Sequence, residues 1–156
     1  MKLRSGRPWD CVHASMEAFV LLMLQMGRPV GVALVGAFDE GDSGLGSRRD
    51  MDLVPHRDGV YSAALAESQD GQFLSNPNVD VVGLYCIRSG PSDCQTTFHA
   101  EDGAEIGSVR LRAGQALVFN NRKVLHGRRG PVGDRLLLRI WIETPRPLEA
   151  AILEGG

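Results

Sequence analysis

The chain has 156 residues, which sets a single domain, 1–156, as the expectation and allows roughly two-thirds of the unfolded surface to be buried. With 43% hydrophobic and 23% charged residues it has the composition of an ordinary globular protein. The net charge of −2 gives no bulk attraction for nucleic acid or an anionic membrane.

The longest apolar run, Ala18 to Leu24, is far short of the roughly 18 residues that a membrane span needs. Although the start is basic, Glu17 precedes this run and Gly27-Arg28-Pro29 ends it, so it is not read as a signal peptide. The three cysteines, Cys11, Cys86 and Cys94, form no CxxC. Cys86 and Cys94 could meet across a hairpin, but free thiols in a reducing cytoplasm are the simpler expectation.

In chain order, Trp9, Val12, Met16, Phe19, Val20, Met23 and Leu24 follow the spacing of one helix face. They predict a helix over Trp9–Met26, with Asp10 as N-cap and Gly27 as its stop, packed outside a sheet. From Pro29 to Phe38 the chain is rich in Val and Ala and reads as a strand; Glu40 to Arg49 reads as a Gly/Ser/charged loop. Further strands are predicted over Asp80–Arg88, Gln95–His99, Glu105–Arg112, Gln115–Phe119 and Arg135–Glu143. Many short strands after one helix give a mostly β chain, an antiparallel sandwich or barrel with a helical buttress.

Two segments carry candidate chemistry. In Pro55-His56-Arg57-Asp58-Gly59 the imidazole and the carboxylate stand two apart, so on an extended chain both face one point. Taken alone, the pair equally fits a His–Asp hydrogen bond in a surface turn. Two histidines and one carboxylate make the ligand set of non-haem Fe(II) oxygenases. His126, which ends a strand-like run and meets a Gly/Arg turn, would be the second histidine; His13 and His99 read as structural or surface residues. Beyond His126, one face of a strand carries Arg135, Leu137, Arg139 and Trp141, and the other carries Leu136, Leu138, Ile140 and Ile142. An arginine inside a barrel needs an anion, and a carboxylate held by two parallel hydrogen bonds is its natural partner. Trp141 and Phe98 read as wall or core. The Arg128-Arg129 pair reads as a solvated turn or as a contact for a substrate anion.

PHRDG, LYCIRSGPSDCQTTF and LVFNNRKVLHGRRGPVGDRLLLRIWI together resemble the Fe(II)/2-oxoglutarate-dependent dioxygenase superfamily, in particular the branch of taurine dioxygenase, gamma-butyrobetaine hydroxylase and clavaminate synthase. The resemblance covers residues 50–143. It implies a double-stranded β-helix (jelly-roll) with the N-terminal helix outside, Fe(II) held by His56, Asp58 and His126, and 2-oxoglutarate and dioxygen as cosubstrates. By position, Arg139 would clamp the distal carboxylate of 2-oxoglutarate with Thr96, or with Thr97 by a one-residue slip. Arg135 would be the accessory arginine, and Asn121 a polar residue leading to the distal histidine. Asp58 argues against a halogenase, in which a small residue leaves room for chloride.

The resemblance further implies hydroxylation of a small metabolite such as an amino acid or its derivative; net charge and cysteine usage add the expectation of a cytoplasmic protein with no nucleic-acid or membrane partner. The chain is shorter than most members of that branch. The cover over the substrate would then come from the 40–50 loop or from a second subunit of a homo-oligomer. The alternatives are a cupin-like metal-dependent isomerase or lyase that uses no 2-oxoglutarate, and a non-catalytic ligand-binding relative.

Overall fold

The structure, a computed structural model, describes residues 6–36, 52–59 and 78–145. The 40–50 loop lies outside them. Nine strands and one helix are described: β1 Trp9–His13, α1 Met16–Met26, β2 Arg28–Gly36, β3 Leu53–His56, β4 Val81–Arg88, β5 Gln95–His99, β6 Glu105–Val109, β7 Gln115–Asn120, β8 Leu125–Arg129 and β9 Leu136–Glu143. They form a five-stranded sheet, β1-β7-β4-β9-β2, and a four-stranded sheet, β3-β8-β5-β6. Every strand pairing among the described residues is antiparallel.

Alternation along the strands of the larger sheet separates two apolar layers. Val82, Leu84 and Cys86 of β4, Leu117 and Phe119 of β7, and Leu137 of β9 join Phe98 of β5 in the interior layer. Their neighbours Val81, Tyr85, Ala116, Val118, Ile140 and Ile142 face the other way and bury Phe19 and Met23 of α1. The helix therefore covers the outer face of the larger sheet, as the sequence predicted. No helix among the described residues is long and apolar enough to cross a membrane, and all three cysteines are free.

The start of the predicted helix is corrected. Residues 9–13 are a strand paired with β7, Trp9 opposite Phe119 and Val12 opposite Ala116. Trp9 stacks on Phe98, with ring centroids 4.4 Å apart and planes within 9°. The N-cap is Ser15, not Asp10: its extended backbone (φ −72°, ψ 161°) turns the chain, and its hydroxyl accepts from Ala18 N at 3.2 Å. The spacing of Trp9 and Val12 suits a helix, but packing Trp9 on Phe98 in the interior decides for the strand.

Candidate metal centre

β3 and β8 are adjacent and place His56 directly opposite His126. They run close together at Gly127, where a Cβ would lie 2.5 Å from the carbonyl oxygen of Leu53, so only glycine fits. His126 does not end the strand-like run read from sequence: β7 stops at Asn120, a turn follows, and His126 is the second residue of β8. Its ring packs on Phe119 at 4.7 Å and on His56 at 4.4 Å, at the end of a line of rings that runs from Trp9 through Phe98.

Asp58 Oδ1 faces both imidazoles, 3.4 Å from His56 Nε2 and 3.6 Å from His126 Nε2. Among the described residues these three form the one group of metal-ligating side chains, with donor atoms within 4.8 Å of one another. His56 Nδ1 lies 2.9 Å from the Val54 carbonyl oxygen, which can only accept. Nδ1 therefore donates to it, and Nε2 is the ring nitrogen turned towards Asp58.

Burial is the strongest influence on the Asp58 carboxyl and opposes its charge. The His56 hydrogen bond and the charges of Arg139, His126 and His56 outweigh it and hold the group ionised, well below the usual carboxylate range. Burial also dominates at His126, where it works with His56 and Arg139 against the pull of Asp58; the imidazole pKa falls to about 3. A neutral His126 imidazole beside an ionised Asp58 carboxylate is the protonation state that a divalent cation requires of such ligands. The donor set fits Fe(II).

The depressed histidine makes the metal-free protein acid-sensitive. Unfolded chains take up this proton near pH 6.5, and the folded chain only near pH 3. The contribution of His126 is thus fully present above pH 6.5 and is lost as the pH falls towards 3, at up to about 1.4 kcal/mol per pH unit. Urea unfolding in a chelator should show a lower midpoint at pH 5 than at pH 7. An unchanged midpoint would mean that His126 is already protonated in the folded state.

Asn121, 3% exposed, ties the site together. Its side-chain oxygen accepts from Asp58 N at 3.0 Å, and its amide donates to the carbonyls of Asp58 and Val79, each at 2.9 Å. Its own N–H donates to the Asp80 carbonyl at 2.9 Å. One buried amide thus pins the residue that follows β3 to the entry of β4. From sequence this residue had only a position beside the distal histidine; an asparagine at a strand end is too common to signal such a role.

Arg135, just before β9, and Arg139 within it have different surroundings. Arg139 NH1 lies 3.4 Å from Asp58 Oδ2, and its guanidinium sits over the Trp141 ring at 4.3 Å. Arg135 is 7% exposed; its Nε, like that of Arg139, is buried without a hydrogen-bond partner. Burial is the main influence lowering its pKa. It adjoins Cys94, since a Cβ at Gly90 would meet Arg135 Cβ at 3.0 Å and Cys94 Cβ at 3.3 Å.

Arg128 is also buried, 5% exposed, and after burial the charge of Arg135 is the next influence lowering its pKa. It pairs in register with Thr96. Of the solvated-turn pair read from sequence, only Arg129 is exposed, in an ion pair with Glu105. Thr96 shares the inward face of β5 with Phe98, whereas the Thr97 hydroxyl lies 3.1 Å from His99 Nε2 on the opposite face.

The fold has a counterpart among solved structures. An oxidoreductase of the 2OG-Fe(II) oxygenase family from Burkholderia pseudomallei superposes with a TM-score of 0.50 at 10% identity, over 89% of this chain and 85% of its own. The fold is shared with a 2OG-Fe(II) oxygenase. A Pseudomonas putida prolyl-4-hydroxylase aligns over 73% of this chain and 50% of its own, with a TM-score of 0.44 and 20% identity. No family model matches the sequence. Erythronate-4-phosphate dehydrogenase of Aeromonas hydrophila is 25% identical over 134 residues, 79% of this chain. The match spans 35% of that relative's length, and its activity does not transfer on that basis.

Proposed function

We propose that this chain is an Fe(II)/2-oxoglutarate-dependent oxygenase that hydroxylates a small, anionic metabolite such as an amino acid or its derivative. The observation that carries the reading is the convergence of His56, Asp58 and His126 between two antiparallel sheets. We further read the two sheets as a double-stranded β-helix. From β2 onward the chain passes between them in the sequence larger, smaller, larger, smaller, smaller, larger, smaller, larger, which is how such a roll is wound. The PHRDG and HGR motifs favour the taurine dioxygenase branch.

Bound iron and 2-oxoglutarate would supply the oxidising chemistry, with succinate and carbon dioxide as coproducts of hydroxylation. The chain's own residues hold and shield. His56 and His126 present imidazole nitrogens, Asp58 supplies the negative charge, and Phe119 keeps one side of the His126 ring dry.

The arginine roles read from sequence are exchanged in this proposal. Arg139 already faces a ligand carboxylate, so it acts at the metal end, where a substrate anion or the near carboxylate of the keto acid would lie. Arg135, buried and close enough to the buried Arg128 to lower its pKa, is the clamp for the far carboxylate. Two buried arginines and a third beside Asp58 suit a dianion, which a metal-dependent isomerase or lyase would not need.

The test is anaerobic and aerobic incubation with Fe(II) and 2-oxoglutarate over a panel of amino acids and small carboxylates. Oxygen-dependent succinate release, stimulated by at least one panel member, is expected. Metal-dependent turnover of a panel compound without succinate would defeat the reading in favour of the cupin-like alternative.

A further inference from the structure

Asp58 has two oxygens with different surroundings. Oδ1 faces the two imidazoles, whereas Oδ2 accepts a hydrogen bond from Trp141 Nε1 at 2.6 Å, with Arg139 NH1 further away at 3.4 Å. An indole N–H donates only and does not ionise near neutral pH, so it marks one oxygen without competing for a cation.

The ring itself is held. Trp141 lies opposite Gly31 of β2, where a Cβ would come within 2.6 Å of Trp141 Cε3, so glycine alone leaves room for it. The Arg139 guanidinium covers the ring from another side. Read from sequence as wall or core, Trp141 is instead the tightest hydrogen-bond partner of the candidate ligand carboxylate.

We propose that Trp141 is a positioning residue for the metal centre. Its N–H occupies Asp58 Oδ2, so that the carboxylate offers a metal ion one oxygen, Oδ1, rather than two. A carboxylate bound through both oxygens would fill one more coordination position; holding one oxygen back leaves that position for other ligands. The proposal rests on the reading of His56, Asp58 and His126 as a metal site, and deepens it.

Co(II) serves as the probe, because its visible absorption reports coordination without turnover. Wild type, Trp141→Phe and Asp58→Ala are titrated with Co(II) under anaerobic conditions. Trp141→Phe keeps the ring but removes the donor. It should still bind Co(II), about 10–100-fold more weakly, as is usual when a partner of a ligand is lost, and with a changed visible spectrum. Trp141→Phe indistinguishable from wild type in both affinity and spectrum would overturn the proposal while leaving the metal site standing. A wild type that binds Co(II) no better than Asp58→Ala would overturn the metal site itself, and the proposal with it.

A second measurement needs no folded Trp141 variant. The chain has two tryptophans, so the metal-free protein has two indole N–H proton resonances, assigned with Trp9→Phe. That of Trp141 should lie downfield and exchange slowly, and should move back in Asp58→Ala. A Trp141 resonance insensitive to Asp58→Ala would also refute the proposal.

Discussion

Asp58→Ala should lower Fe(II) affinity beyond the roughly hundredfold that loss of a supporting residue costs, to the point where equilibrium dialysis finds no stoichiometric iron. The carboxylate is the only anion among the three donors and faces both imidazoles. Without it, an arriving dication meets two imidazoles and the Arg139 guanidinium, whose counter-charge at 3.4 Å has gone. His126→Ala should be nearly as severe. His56→Ala should equally remove iron, but with less effect on the metal-free fold, because the residue is only partly buried and its ring nitrogen binds a local carbonyl. Full iron binding in any of the three would take that residue out of the site.

Arg135→Ala should raise the 2-oxoglutarate concentration needed for half-saturation at least about a hundredfold, since removing one partner of a buried charge pair costs roughly 3–5 kcal/mol. Arg135 lies deep in the fold with an unsatisfied Nε, so the cosubstrate carboxylate would be its counter-ion. Arg139→Ala should change this dependence less and disturb the metal spectrum more, because its charge sits at Asp58. Steady-state succinate assays across 2-oxoglutarate concentrations separate the two. The opposite ranking would return the clamp to Arg139.

The strands were legible wherever apolar residues alternate or run together between turn residues. Gln95–His99 is bounded in the structure as read, and the last strand splits its residues between the two layers as its pattern required. The first strand was not legible. Trp9 and Val12 continue the helical spacing of Met16 and Phe19, and only the long-range contact of Trp9 with Phe98 reveals the difference.

The triad was readable as residue types at a spacing. The division of labour between Arg135 and Arg139 was not, for a physical reason. Both share one face, and four residues of strand separate them by about 13 Å, but nothing in the sequence says which end of the strand lies beside Asp58. The role of Trp141 was hidden in the same way, because an indole that fills a core and one that holds a carboxylate look alike in sequence.

The Asn121 clip joins Asp58 to a residue 63 positions further along the chain. Closing a loop of that length costs on the order of 4 kcal/mol in chain entropy. During synthesis, His56 and Asp58 emerge long before the turn and strand that complete the pocket. On the proposed reading, iron loading would be a late event in the life of the molecule, after the second half of the chain has been made and folded. A metal ion that binds only the closed form then adds its binding free energy to that closure alone. Iron supply would thereby influence not only turnover but also how long the newly made chain survives proteolysis.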